Sequence, residues 1–160
     1  MRPEIANIDE MDISEIFEAE GDGSQDDGTL YSLSDEFLEA ARVLQATPPV
    51  RVNFSSAAYY LLGHSAELML KAFLFKHGVS INELKKIGHN LEKLVCHAKK
   101  KGLSEKVHLQ QILGLAETYK DKSLEYRARK RKTFPSLDLL TKEIEGLQSA
   151  VFDRICKWKT

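Results

Sequence analysis

The chain is 160 residues long, 42% hydrophobic and 29% charged, with a net charge of −1. That length fits one domain with one core and an appendage, and no apolar run approaches the ~20 residues of a membrane-spanning helix. The small net charge conceals a segregation: residues 1–40 carry 13 acids against one base, and the remaining 120 carry 22 bases against 11 acids. A basic body behind an acidic N-terminal arm points to a polyanionic partner, or to an arm that masks a basic surface.

Residues 1–29 read as that arm. Ile5, Ile8, Ile13, Ile16 and Phe17 have the loose spacing of a short amphipathic helix. Gly21 to Gly28 then reads as a flexible acidic linker. Residues 30–160 form the expected body. Leu30, Leu33, Phe37, Ala41 and Leu44 make one apolar stripe, predicting a helix from about Ser32 to Ala46 that ends at Thr47-Pro48-Pro49. Ser55 or Ser56 opens a second helix reaching His77, with Gly78 as its left-handed exit. That helix is apolar nearly all round, so it should be central and buried.

Ser80-Ile81-Asn82-Glu83 is a capping box for a short helix that Gly88 breaks. Asn90 caps the next main helix, whose inward residues are Leu91, Leu94, Val95 and Ala98, with Lys99-Lys100-Lys101-Gly102 at its end. A further helix is predicted from Ser104 to Tyr119 with Val107, Ile112, Leu113 and Ala116 inward. The last helix begins after Ser136, and Leu137, Leu140, Ile144, Leu147, Val151 and Trp158 form its seam. No strand-like alternation appears, so the expected fold is all-α: an antiparallel bundle of four main helices plus short extra ones.

His64, Glu67 and Lys71 stand at i, i+3 and i+7 on the most apolar helix and share one face. They read either as a salt bridge at the helix rim or as the wall of a polar cleft. Polar groups on such a helix require a partner or a cleft. His89, between a glycine and a helix cap, reads either as a loop hydrogen bonder or as an acid/base or phosphate contact. His77, His97 and His108 read as surface residues. From Lys120 to Lys132, seven of thirteen residues are basic, and Tyr126 and Phe134 flank the densest part. Cations of this kind neutralise phosphates and rings can stack on bases, although a solvated loop has the same composition. No phosphate-binding glycine loop or nucleophile motif occurs. Cys96 and Cys156 are far apart and no histidine pair has metal-ligand spacing, so neither a disulfide framework nor a metal site is expected. No secretory signal is expected, and a reducing, cytoplasmic home fits the cysteine usage.

Glu67-Leu68-Met69-Leu70-Lys71-Ala72-Phe73-Leu74, preceded by His64 and followed by His77-Gly78, and then Gly88-His89-Asn90-Leu91-Glu92-Lys93-Leu94, resemble the HEPN (higher eukaryotes and prokaryotes nucleotide-binding) domain. Its members show E-x-x-L-K-x-x-L and G-H-[DN]-L-x-x-L segments at these places. Tyr126-Arg127 before Phe134-Pro135 is similar to the segment ahead of the last helix in bacterial members. The resemblance covers about residues 34–157. It implies a four- or five-helix bundle, often a homodimer, acting as a metal-independent ribonuclease or as a non-catalytic binder of RNA, nucleotides or a protein. The nuclease members carry an arginine, four to six residues, then a histidine. No histidine follows His108 here, so Arg127, Arg129 and Arg131 cannot complete that motif.

The leading expectation is therefore a protein that binds RNA or a nucleotide without the usual ribonuclease activity and without a cofactor. Glu67, Lys71, His89, Tyr126 and Arg127 would line the cleft, with Arg129 and Arg131 on phosphate. The alternatives are an atypical ribonuclease, with His89 moving the proton and Arg127 clamping the transition state, and an accessory subunit that binds a protein.

Overall fold

The computed structural model describes residues 26–48, 55–124 and 133–156. Six helices and no strand occur among them: α1 (Asp27–Ala46), α2 (Ser55–Lys76), α3 (Ile81–Ile87), α4 (Leu91–Lys100), α5 (Gln110–Lys120) and α6 (Leu137–Ile155). The arm's amphipathic stretch and Trp158 of the expected seam lie outside the described residues.

The first helix starts earlier than its apolar stripe suggests. The Asp26 carboxylate accepts the Thr29 N–H at 2.6 Å, which draws Asp27 and Gly28 into the first turn. The division between arm and body at residues 29 and 30 thus falls inside a helix. The buried face also differs from the expected stripe. Leu30, Ser34, Leu38 and Ala41 point inward, while Leu33 is exposed. Ser34 explains the rotation: its hydroxyl donates to the Ser65 carbonyl at 2.7 Å, and the Ser65 hydroxyl donates to the Ser34 carbonyl at 2.9 Å. Two small, mutually satisfied residues let α1 and α2 approach closely, which an apolar pattern cannot reveal.

The pairs Asp27–Lys76, Ser34–Ser65 and Phe37–His64 set α1 antiparallel to α2. α2 is the central helix, as its composition predicts. Leu62, Met69, Leu70, Phe73 and Leu74 are fully buried, each contributing about 1.5–3 kcal/mol by leaving water. The surface assignment of His77 is corrected: it is half-buried, stacks on Phe73 and donates from Nδ1 to the Phe73 carbonyl.

Ser80 and Glu83 close the capping box of α3, and Asn90 caps α4 through the Lys93 N–H. Between them Gly88 adopts φ +62°, which turns the chain so that His89 faces α2. α5 begins six residues later than expected. Ser104 instead holds a tight turn, accepting the Lys106 N–H, and the first turn of α5 is bonded from outside, where Glu143 of α6 accepts the Ile112 N–H at 2.7 Å. The inward set becomes Ile112, Leu115, Ala116, Thr118 and Tyr119, and Leu113 is exposed. On α6, Leu140, Ile144, Leu147 and Val151 form the expected buried seam. Arg42–Glu145, Gln45–Thr141 and Asp35–Gln148 set α6 antiparallel to α1.

Candidate functional site

Glu67 lies at the middle of α2 with only 1% of its surface exposed. An isolated carboxylate there would be strongly disfavoured. Its partners come from three elements. Lys71, one turn along α2, brings Nζ to 2.5 Å from Oε1. His89, on the turn before α4, brings Nδ1 to 2.9 Å from Oε2. Tyr119, near the end of α5, donates its hydroxyl to Oε2 at 2.5 Å. His64 Nδ1 stands 3.7 Å from Oε2 and 3.0 Å from the Tyr119 oxygen. Burial alone pushes the Glu67 carboxyl up, but the contacts from His64, Lys71, Tyr119 and His89 outweigh it and hold the pKa at about 2, against an ordinary 4.5.

Proton accounting orients the rings. An ionised carboxylate only accepts, so the Tyr119 hydroxyl proton and the His89 Nδ1 proton both point at Glu67. The Tyr119 oxygen is then an acceptor toward His64, whose Nδ1 must donate. Both neutral histidines therefore carry their proton on Nδ1 and leave Nε2 as an acceptor. The His89 side chain is 54% exposed although its Nδ1 is held by a buried carboxylate. Aromatic neighbours complete the wall: Phe37 meets His64 edge-on at 4.5 Å, Tyr60 stacks on it at 6.0 Å, and Tyr119 sets its ring at 85° to His89.

The structure brings His89 to the face that His64, Glu67 and Lys71 share by helical spacing. Tyr126, Arg127, Arg129 and Arg131 lie outside the described residues. Tyr119 was missed in the sequence, where it reads only as the end of a helix. A signal was present in Gly63, an unforced glycine on an otherwise apolar helix. A Cβ built there would come within 2.6 Å of Tyr119 Cδ2 and 3.2 Å of Leu115 Cδ2. The glycine is the space in which the tyrosine ring lies. Gly63→Ala is expected to push Tyr119 off Glu67 and lower stability by about 1–3 kcal/mol, as overpacking does. Chemical denaturation checks this, and an unchanged midpoint would show that the ring has room to move.

Among the described residues, no group of three or more His, Cys, Asp or Glu side chains is arranged to hold a metal ion. A groove beside the cluster runs between α4 and α5, lined by Asn90, Glu92, Leu113, Ala116, Glu117 and Lys120. No helix among the described residues is long and apolar enough to cross a membrane. No protein-family model, curated protein or solved structure matches this chain.

Proposed function

We propose that the chain is a HEPN-like helical protein that binds RNA or a nucleotide beside His89, without the arginine–histidine motif of the family's nucleases. The observation that carries the reading is the half-exposed His89 side chain, anchored through Nδ1 to the buried Glu67 carboxylate so that Nε2 is left as the ring's acceptor. Such an acceptor suits a ribose hydroxyl or a base N–H; a protonated His89 suits a phosphate oxygen. In the sequence, a stretch rich in lysine and arginine from Lys120 to Lys132 begins one residue after Tyr119, a composition that suits phosphate. Glu92 and Glu117 in the adjoining groove repel phosphate and instead suit the amino and hydroxyl groups of a nucleoside.

The carboxylate–imidazole link also favours a second reading, an atypical metal-independent ribonuclease. His89 Nε2 would take the proton of a ribose 2′-hydroxyl as that oxygen attacks the adjacent phosphorus. The P–O5′ bond would break, the 5′-oxygen would take a proton from water, and a 2′,3′-cyclic phosphate would remain. Labelled single-stranded RNA separates the two readings. Binding predicts a salt-sensitive shift, weakened roughly ten-fold by His89→Ala, the loss of about one hydrogen bond to a charged group. Cleavage that stops on His89→Ala and on 2′-deoxy substitution makes the protein a ribonuclease. Absence of both shift and cleavage would leave the accessory-subunit reading, with a protein as the partner.

A further inference from the structure

α4 is covered on one side. Leu91, Leu94, Val95 and Ala98 are buried, and the helix packs on α2 and α5. Lys93, Cys96, His97 and Lys100 stand at i, i+3, i+4 and i+7 on the opposite face, and all four are exposed. Lys101, which caps the end of the helix, is exposed as well. From Lys93 to Lys101, five of nine residues are lysine or histidine and none is acidic. The one acid of α4, Glu92, lines the groove toward α5. Among the described residues Lys93, Lys100 and Lys101 have no ion-pair partner, and Lys99 meets only Glu105, at 4.0 Å.

Helix stability accounts for part of this charge. Cations near a helix C-terminus complement its dipole, which suits Lys99, Lys100 and Lys101. Lys93 is different: it stands in the first turn, where the dipole disfavours a cation. Its neighbours at i+3 and i+4 are Cys96 and His97 rather than an acid. A cation left uncompensated there suits an anion from outside the chain. Lys93 comes four residues after His89, and Lys100 lies seven residues, about 10 Å, further along the axis. The row of cations thus begins close to the contact proposed at His89.

We infer that the outward face of α4 carries the phosphates of a single RNA strand, on Lys93, Lys100 and Lys101, as the strand continues from the His89 contact. The inference rests on the RNA-binding reading and names the surface used by the rest of the strand. Phosphate contacts position a strand and do not read its bases, so this track is indifferent to sequence.

The test uses the full chain and a labelled single-stranded RNA, and it reads the track in two ways. Cys96 lies on the face between Lys93 and Lys100, whereas Cys156, also exposed, follows the end of α6. Saturating RNA is expected to slow alkylation of Cys96 by N-ethylmaleimide several-fold and to leave Cys156 unchanged. In parallel, affinity is measured against salt concentration. The double variant Lys93→Gln, Lys100→Gln replaces exposed residues by another good helix former, so the fold is kept. Its slope of log affinity on log salt should become shallower by about 0.7 for each lysine removed, with the same loss on RNAs of different sequence. Lys142→Gln on α6 should keep the parent slope. RNA that binds with an unchanged slope in the double variant and leaves Cys96 unprotected lies elsewhere on the protein; that result overturns the inference and leaves the RNA-binding reading standing. Failure of the parent chain to bind RNA even at low salt would overturn both.

Discussion

Replacing Glu67 by alanine is expected to remove about 3–5 kcal/mol of folding stability, the usual result of taking one partner from a buried ion pair. The side chain of Lys71 is only 14% exposed and its Nζ is paired with Glu67. Without the carboxylate, that ammonium is left in a poorly solvated place. The Tyr119 hydroxyl and the His89 Nδ1 lose the acceptor they share at the same time. Glu67→Gln should cost less, because the amide keeps the volume and one acceptor oxygen, although it cannot accept from all three donors. Urea denaturation of both variants checks the order. An alanine variant within about 1 kcal/mol of the parent would mean that the cluster is not the structural centre of the bundle.

The second large effect is an acid transition. The folded-state pKa of Glu67 is lowered from 4.5 to about 2. A depressed carboxylate contributes stability that is fully present above the unfolded value and is lost as pH falls through the folded one. The window therefore runs from about pH 4.5 down to about 2. The size of the shift corresponds to about 3 kcal/mol. Protonating Glu67 removes the negative charge that faces Lys71 Nζ. Measuring the urea midpoint at steps across this window, in the parent and in Glu67→Gln, isolates the contribution. The advantage of the parent should shrink as pH falls. Two curves that stay parallel would show that Glu67 titrates normally.

Much of the bundle was readable because its signals are local. The Ser80–Glu83 capping box, the Asn90 cap, the glycine turns at Gly78 and Gly102, and the α6 seam each depend on residues a few positions apart. The errors arose where a distant partner decides. Ser34 is buried because Ser65 answers it across α1 and α2, and the start of α5 is bonded by Glu143 from α6. The candidate site divides the same way. His64, Glu67 and Lys71 share a face by helical spacing alone, and His89 was visible as a histidine after a forced glycine turn. Their convergence on one carboxylate was not visible, because the loop that returns His89 to α2 closes over 22 residues. Tyr119 lies 52 residues from Glu67, so only the spatial demand at Gly63 announced it.

The most direct test of the cluster is the protonation state of the His89 ring, read by 15N–1H NMR of the imidazole nitrogens at a pH where the ring is neutral. The geometry predicts the proton on Nδ1 and an unprotonated Nε2, with that preference lost in Glu67→Gln. A neutral His89 that carries its proton on Nε2 in the parent protein would contradict the account, because Nε2 would then be a donor and the link to Glu67 would not orient the ring.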